Sequence, residues 1–267
     1  MGIGASSFKN IDQFPTLSPA AVEILSIADR PETTIEDLAN LVMIDKVLYA
    51  NVYKYVNSAA FALRRSPDHI EEALHYLGIY GLRDLIFMLA ARKLFNHKHN
   101  WEHSLFVAYV AKKLAFKLGF KPRDASRVYI SALVHDIGAM ILDSEFSKEY
   151  KAIKAEENLY LRYSMEKGLF GVNSIELSCE VLTASDIPES ILKIIRRQSL
   201  IHDHKSYELE NALIDLAHSL AFVDPYDQRD LDDVMMQDYI KRFGLNKLDL
   251  NLNFLKKVHK ELSNIIS

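Results

Sequence analysis

Cysteine is nearly missing from this chain of 267 residues: Cys179 stands alone. No disulfide can form within the chain, and a thiolate-rich zinc site is excluded by count. A single thiol is the usage of a reducing compartment, so the expected setting is cytoplasmic. Glycine and proline are scarce, at 9 and 7 residues, too few for many strands joined by tight turns, and the composition leans to helix. No uninterrupted apolar run approaches the roughly 18 residues that a membrane span needs. The longest, over 85–91, is bounded by Asp84 and Arg92. Residues 1–10 have no apolar core behind a charged start and do not read as a signal peptide; residues 1–13 are expected to form a flexible arm. Positive charge is not in surplus either. With 32 Lys and Arg against 36 Asp and Glu, the formal net charge is −4, which argues against a nucleic-acid partner.

What remains is an ordinary globular composition, 49% hydrophobic and 25% charged, on a chain long enough for a sizeable core. Apolar residues recur at helical spacing almost throughout. Ser18 before Pro19 predicts a helix start, and Pro31 its end. Thr33 with Glu36 predicts a capping box ahead of Ile35, Leu38 and Leu41. A third helix is expected from about Asp45, and a fourth capped by Asp68 and stopped at Gly78; Leu82, Leu85, Ile86 and Leu89 mark the next. The polar stretch 96–100 is the expected boundary between two helical lobes. Beyond it, 101–118 ends at Gly119 and is apolar nearly all round over 104–111, the pattern of a buried central helix. Pro122 opens another apolar helix, expected to run into His135 and Asp136 and to stop near Gly138. Further helical patterns cover 144–167, 173–184, 188–198 and 207–223, and two amphipathic segments follow Asp224 and Pro225. The expected fold class is therefore all-α. The expected division is an arm over 1–13, a helical lobe over 14–97, a second helical lobe over 98–225 and a helical tail over 226–267.

Ten histidines are the main reservoir of chemistry. His97, His99, His202 and His204 lie in polar stretches, and His69, His75 and His259 at ordinary surface positions of helices. His103, placed in the first turn of the central helix, and the pair His135 and Asp136, at the end of an apolar helix, differ. A carboxylate beside so much apolar sequence needs a partner. A metal ion is one such partner, since imidazole nitrogen and carboxylate oxygen suit zinc, iron, nickel or manganese. The other is local: Asp136 caps backbone groups or holds a histidine ring. Spacing alone leaves both open. No glycine-rich phosphate loop is present. Cys179, within the apolar stretch 175–182, reads as a small core residue rather than a nucleophile. Arg64, Arg65, Arg83, Arg92 and Lys93 read as a solvated helix face.

Several motifs occur together in order. Leu133, Val134, His135, Asp136, Ile137 and Gly138 resemble the signature of the HD superfamily of metal-dependent phosphohydrolases. Upstream lie Phe14, Pro15, Thr16, Leu17 and Ser18, then the acidic helix over 35–42. Ile44, Asp45 and Lys46 lead to Val56, Asn57 and Ser58, followed by Ala59, Ala60 and Phe61. Ile70 leads through Leu77 and Gly78 to Gly81, Leu82 and Arg83. This set resembles the HDOD family (HD-related output domain), and the resemblance runs over about 14–221. It implies an all-helical two-lobe fold, an N-terminal bundle packed on a degenerate HD-type lobe, and a bacterial cytoplasmic role in signal transduction.

The resemblance also implies ligands. His103 matches the first histidine and His135 and Asp136 the central pair, while His218 aligns with the last aspartate. Asp215, one helical turn earlier, is placed to compensate. Other positions depart: Asn173 and Ser174 stand where many relatives have Asp-His, and Arg197, Gln198 and Ser199 where a His-His pair often falls. Ala139 replaces a frequent lysine. The expected site is a vestigial metal cluster of His103, His135, Asp136 and His218 with no catalytic residue. No cofactor is expected; a divalent zinc, nickel, iron or manganese ion is the alternative to side chains that bond one another. The leading expectation is a non-catalytic module acting on a signalling protein partner, with no nucleic acid and no membrane span. The alternatives are a metal-dependent phosphohydrolase acting on a phosphoester or nucleotide, and a receptor for a nucleotide second messenger. Asn57 and Ser58 are expected to end a helix and satisfy backbone groups at the turn that follows. Asn57→Leu should then lower stability by about 1–3 kcal/mol in urea unfolding. Unchanged stability with lost signalling would instead place Asn57 on an interaction surface.

Overall fold

The computed structural model describes residues 19–56, 70–95, 97–156, 159–198, 208–235 and 238–266. Ser18, the Asn57–Ser58 turn, Asp68, His69, His202 and His204, with Arg64, Arg65 and Ser199, lie outside them. Among the described residues every regular element is helical. The first four helices are α1 (Pro19–Ile27), α2 (Ile35–Ile44), α3 (Lys46–Val56) and α4 (Ile70–Ala91), with α1, α2 and α3 each packed on α4. A short 3-10 turn, Arg92–Leu94, leads to the central α5 (Lys98–Lys117). Helices α6 (Pro122–Leu133), α12 (Leu209–Leu220) and α15 (Leu252–Ile266) surround α5, and α6 also touches α4. Between α6 and α12 the chain forms α7 (Ile137–Glu145), α8 (Ser147–Lys154), α9 (Leu159–Phe170), α10 (Ser174–Ala184) and α11 (Glu189–Arg197). Helices α13 (Gln228–Met235) and α14 (Asp238–Arg242) lean on α12, and a 3-10 turn, Leu245–Lys247, precedes α15.

Local chemistry sets the helix ends. Pro19 and Pro122 occupy first turns as their fixed φ favours. The capping box falls one residue later than the Thr33–Glu36 expectation. Thr34 accepts from the Asp37 amide, and the Asp37 carboxylate returns the bond to the Thr34 amide at 2.9 Å, while the Thr33 hydroxyl donates to the Ile27 carbonyl. Asp45 accepts from the amides of Val47 and Leu48 and so starts α3. Gly78, at φ 65° and ψ 173°, breaks the helical path within α4, a backbone state that glycine reaches without strain. The polar stretch is shorter than expected: His97 is the N-cap residue of α5, so His99 and Asn100 belong to its first turn.

Two helical stretches, Leu74–Leu94 and Pro122–Glu145, are long and apolar enough by composition to cross a bilayer, which runs of consecutive apolar residues did not indicate. The first is broken at Gly78 and carries Arg83 and Asp84, both buried. The second is interrupted between Leu133 and Ile137 and is mostly buried. Both pack as core helices here.

Arg83 is the main departure in this half of the molecule. Instead of a solvated face it is 1% exposed. Its guanidinium donates to Asp29 Oδ1 in the turn after α1 (2.8 Å), to Ser126 Oγ (2.9 Å) and to the Arg123 carbonyl (3.2 Å) on α6. Asp29 also holds Arg123 and Arg127. Neighbouring Asp84 accepts from Ser126 and from Lys112 of α5. Burial pushes the Asp84 carboxyl pKa up against the pull of Lys112, Ser126 and Arg83. Removing one member of a buried charge pair typically costs about 3–5 kcal/mol. Asp29 keeps two arginines and Asp84 keeps Lys112, so Arg83→Leu should destabilise by about 3 kcal/mol, at the lower end, read from the urea midpoint.

Candidate metal centre

Three separate segments meet at one point. His103 comes from α5, in its second turn because the helix begins at Lys98 rather than Trp101. His135 and Asp136 occupy the break between α6 and α7. His218 lies in the last turn of α12. One ligand atom from each of these four residues lies within 4.8 Å of all the others. Asp136 Oδ2 is the hub, 3.3 Å from His135 Nε2, 3.7 Å from His103 Nε2 and 3.8 Å from His218 Nε2.

The four side chains lie close together, and His135 Nε2 to Asp136 Oδ2, at 3.3 Å, is the shortest contact among them. His135 Nδ1 lies 2.6 Å from the Ala132 carbonyl. A carbonyl only accepts, so Nδ1 carries the hydrogen and Nε2 faces the cluster, with a lone pair in the neutral ring and an N–H toward Asp136 in the charged one. That Nε2 is buried and makes no well-aligned hydrogen bond among the described residues. A backbone carbonyl holding the far nitrogen is the usual support of a metal-ligating histidine.

Charge follows the same logic. Burial opposes ionisation of Asp136, but His135, His218 and His103 around it outweigh burial and hold its pKa well below the usual carboxylate range. Burial lowers His103 to about 4 and His218 to about 3, so both are neutral donors at neutral pH. On His135 burial works against charge, and Asp136 beside it wins, raising its pKa. Three imidazole nitrogens and a carboxylate form a donor set that suits zinc, nickel, iron or manganese.

A cavity of about 240 Å³ opens onto the cluster, and Tyr150, Lys154, Arg162 and Phe222 are among the residues that line it. The Tyr150 hydroxyl donates to Glu166 Oε1 (2.8 Å), and Glu166 Oε2 accepts from the Ser174 amide (2.7 Å). The fully buried Glu166 thus joins α8, α9 and the start of α10. Lys154 pairs with Asp143 at 2.7 Å. Phe222 is 70% exposed, yet its ring lies 5.3 Å from His103 and 5.2 Å from His218.

The residues expected at the site come together, and the expected departures sort differently. The charge of Asp215 acts on His135, but Asp215 is not one of the four clustered donors. Asn173 is the N-cap of α10, exchanging capping bonds with Glu176. Arg197 pairs with Glu208 and Arg196 with Glu189; the arginine whose charge reaches His218 is Arg162. Cys179 is buried, and burial pushes its thiol up to about 11, as a core residue should behave. Sequence reasoning missed Tyr150, Lys154, Arg162 and Phe222. Tyr150 with Lys154, and Arg162 with Glu166, are i,i+4 pairs that share a helix face, a signal obscured by reading 144–167 as one helical stretch. His99 lines the cavity instead of a linker, whereas His259 is exposed on α15 as expected, its ring 5.0 Å from that of Phe106.

Comparison with known proteins agrees with this architecture. The HDOD domain matches residues 14–201. An uncharacterized protein of Treponema pallidum is 25% identical over 239 residues, 85% of this chain and 46% of its own, so the chain spans about half the length of that curated relative. The structure of an HDOD domain protein of unknown function from Geobacter sulfurreducens superposes with a TM-score of 0.71 at 23% identity, covering 98% of this chain and 94% of that one. A phosphohydrolase candidate from Shewanella amazonensis gives 0.68 at 20% identity over 98% and 96%. A candidate signal transduction protein from Marinobacter aquaeolei gives 0.66 at 19% over 97% and 61%. At these identities the solved structures establish a shared fold.

Gly138, expected as a helix stop, lies inside α7 and serves a different purpose. Its amide donates to Ser178 Oγ at 2.8 Å. A Cβ here would sit 1.9 Å from the Ser174 carbonyl oxygen, so only glycine lets α7 and α10 approach this closely. Gly138→Ala must push the two backbones apart two residues from Asp136. The expected cost is at least about 2 kcal/mol, measured by urea unfolding.

Proposed function

This chain belongs to the HDOD family, and we propose that it is a non-catalytic signal-transduction module that docks onto a partner protein and holds one divalent transition-metal ion at His103, His135, Asp136 and His218. The observation that carries the metal is the buried His135 Nε2, oriented through Ala132 and gathered with one donor atom from each of His103, Asp136 and His218 within 4.8 Å. Such an ion would join α5, the α6–α7 break and α12. Four protein donors also fill a tetrahedral shell, as in structural zinc sites, whereas catalytic zinc keeps one position open. Docking is supported by an apolar corner where α2 meets α3: Ile44 is 79% exposed, with Val47, Met43 and Tyr49 beside it.

Arg162 and Lys154 in the cavity favour a second reading, a metal-dependent phosphohydrolase, since cations facing a metal site suit a phosphoester. A phosphohydrolase candidate is also among the proteins of this fold. One set of measurements separates the readings. Elemental analysis should find about one zinc, nickel, iron or manganese per chain. Metal at about 100 times its dissociation constant adds roughly 2.7 kcal/mol, or roughly 5–10 °C in melting midpoint for a domain of this size. A His135→Ala, Asp136→Ala double variant should lose both the metal and the shift. Phosphoester turnover should stay at buffer level with each metal. Absence of metal and of any shift overturns the metal site; turnover that needs the metal and disappears in the variant overturns the non-catalytic reading. Partner binding that persists in an Ile44→Glu, Val47→Glu variant with unchanged melting would remove the apolar corner as the docking surface.

A further inference from the structure

A second cavity, of about 310 Å³, lies on the seam between α4 and the α5–α6 pair, away from the histidine cluster. Its size and its position between helices are those of small-molecule sites. The walls are rich in rings: Tyr55 of α3, Tyr109 and Phe116 of α5, and Tyr129 of α6, over an apolar floor that includes Leu105 and Met88. Lys112 stands over the rings of Tyr129 (5.4 Å) and Phe116 (5.9 Å).

The polar groups of the wall are unevenly committed. Both oxygens of Asp84 are taken, one by Ser126 and the other by Lys112 at 2.5 Å. The Tyr109 hydroxyl donates to Glu261 at 2.7 Å, and Lys113 pairs with the same carboxylate at 3.0 Å. Donors are left over. The Lys112 ammonium has three N–H groups and gives one to Asp84. Tyr129 is 6% exposed and lines the cavity, and its hydroxyl, unpaired among the described residues, is still open to solvent. A ligand for this space must therefore bring acceptor oxygens on one edge and a flat apolar body behind them.

We propose that the cavity between α4 and α5–α6 is a binding site for an aromatic carboxylate, its ring among Tyr55, Tyr109 and Phe116 and its carboxylate facing the Tyr129 hydroxyl and the Lys112 ammonium. The site is independent of the metal centre. Because the ligand would touch α3 and α4 on one side and α5 and α6 on the other, its binding would strengthen this seam.

The probe is 2-naphthoate, titrated into the whole chain by calorimetry and by ligand-observed NMR, with neutral 2-naphthalenemethanol as companion. The expected result is saturable binding at one site, weakened about tenfold or more by Tyr129→Phe, while binding of the neutral alcohol changes little. Gly81→Leu should abolish both, since Gly81 lines the cavity and a Cβ there meets only Leu77, at 3.4 Å. Melting curves check that each variant is folded. If Gly81→Leu does not fold, Tyr129→Phe with the two probes decides. No saturable 2-naphthoate binding at millimolar concentration, or binding unchanged by Tyr129→Phe, overturns the proposal.

Discussion

A guanidinium that is shut away from water cannot stand without anions around it, and Arg83 imposes that demand at the centre of this molecule. Its partners come from the turn after α1 and from α6. The next residue, Asp84, faces a lysine on α5 and the same serine on α6. Two consecutive residues of α4 therefore set where α5 and α6 lie. Those helices carry His103 and lead directly into His135. The geometry of the histidine cluster thus stands on a charge network in which none of its own members takes part.

The cluster shows how burial and a single carboxylate divide labour among like groups. Three histidines share one aspartate. The most buried, His135, is tied to a backbone carbonyl and keeps the strongest coupling to Asp136, while His103 and His218 stay neutral because burial dominates there. Imidazole nitrogens gathered around a carboxylate that is held ionised are the electrostatic preparation a cation needs. Support comes from behind: Glu166 pins three helices around the start of α10, and the close contact of α10 with α7 at Gly138 sets the chain just after Asp136.

The seam cavity and the metal centre lie on opposite sides of α5. Helix α5 is buried along one half of its residues, and some of its polar residues serve two separate places. His103 serves the cluster, and Tyr109, Lys112 and Lys113 serve the seam. One helix thus places chemistry in two compartments, with apolar packing between them that keeps the two sets of charges from neutralising one another.

The chain's periodicity, caps and scarcity of glycine and proline were enough to establish an all-helical fold, because helix formation depends on residues three and four apart and on the first and last turns. The resemblance to the HDOD family likewise pointed to His103, Asp136 and His218, since the family's ligand positions keep their order along the chain even where, as at His218, the residue type differs. Other features needed the folded molecule. Arg83 reads as a surface cation until Asp29, 54 residues away, is seen beside it. Gly138 reads as a stop until the Ser174 carbonyl is found where a Cβ would be. Arg162 and Tyr150 enter the site only through a helix break that their own spacing does not announce. The tautomer of His135, the spent and unspent donors of the seam and the ionisation of Asp136 depend on which groups burial brings together. Burial is a property of packing between distant segments, and local sequence does not encode it.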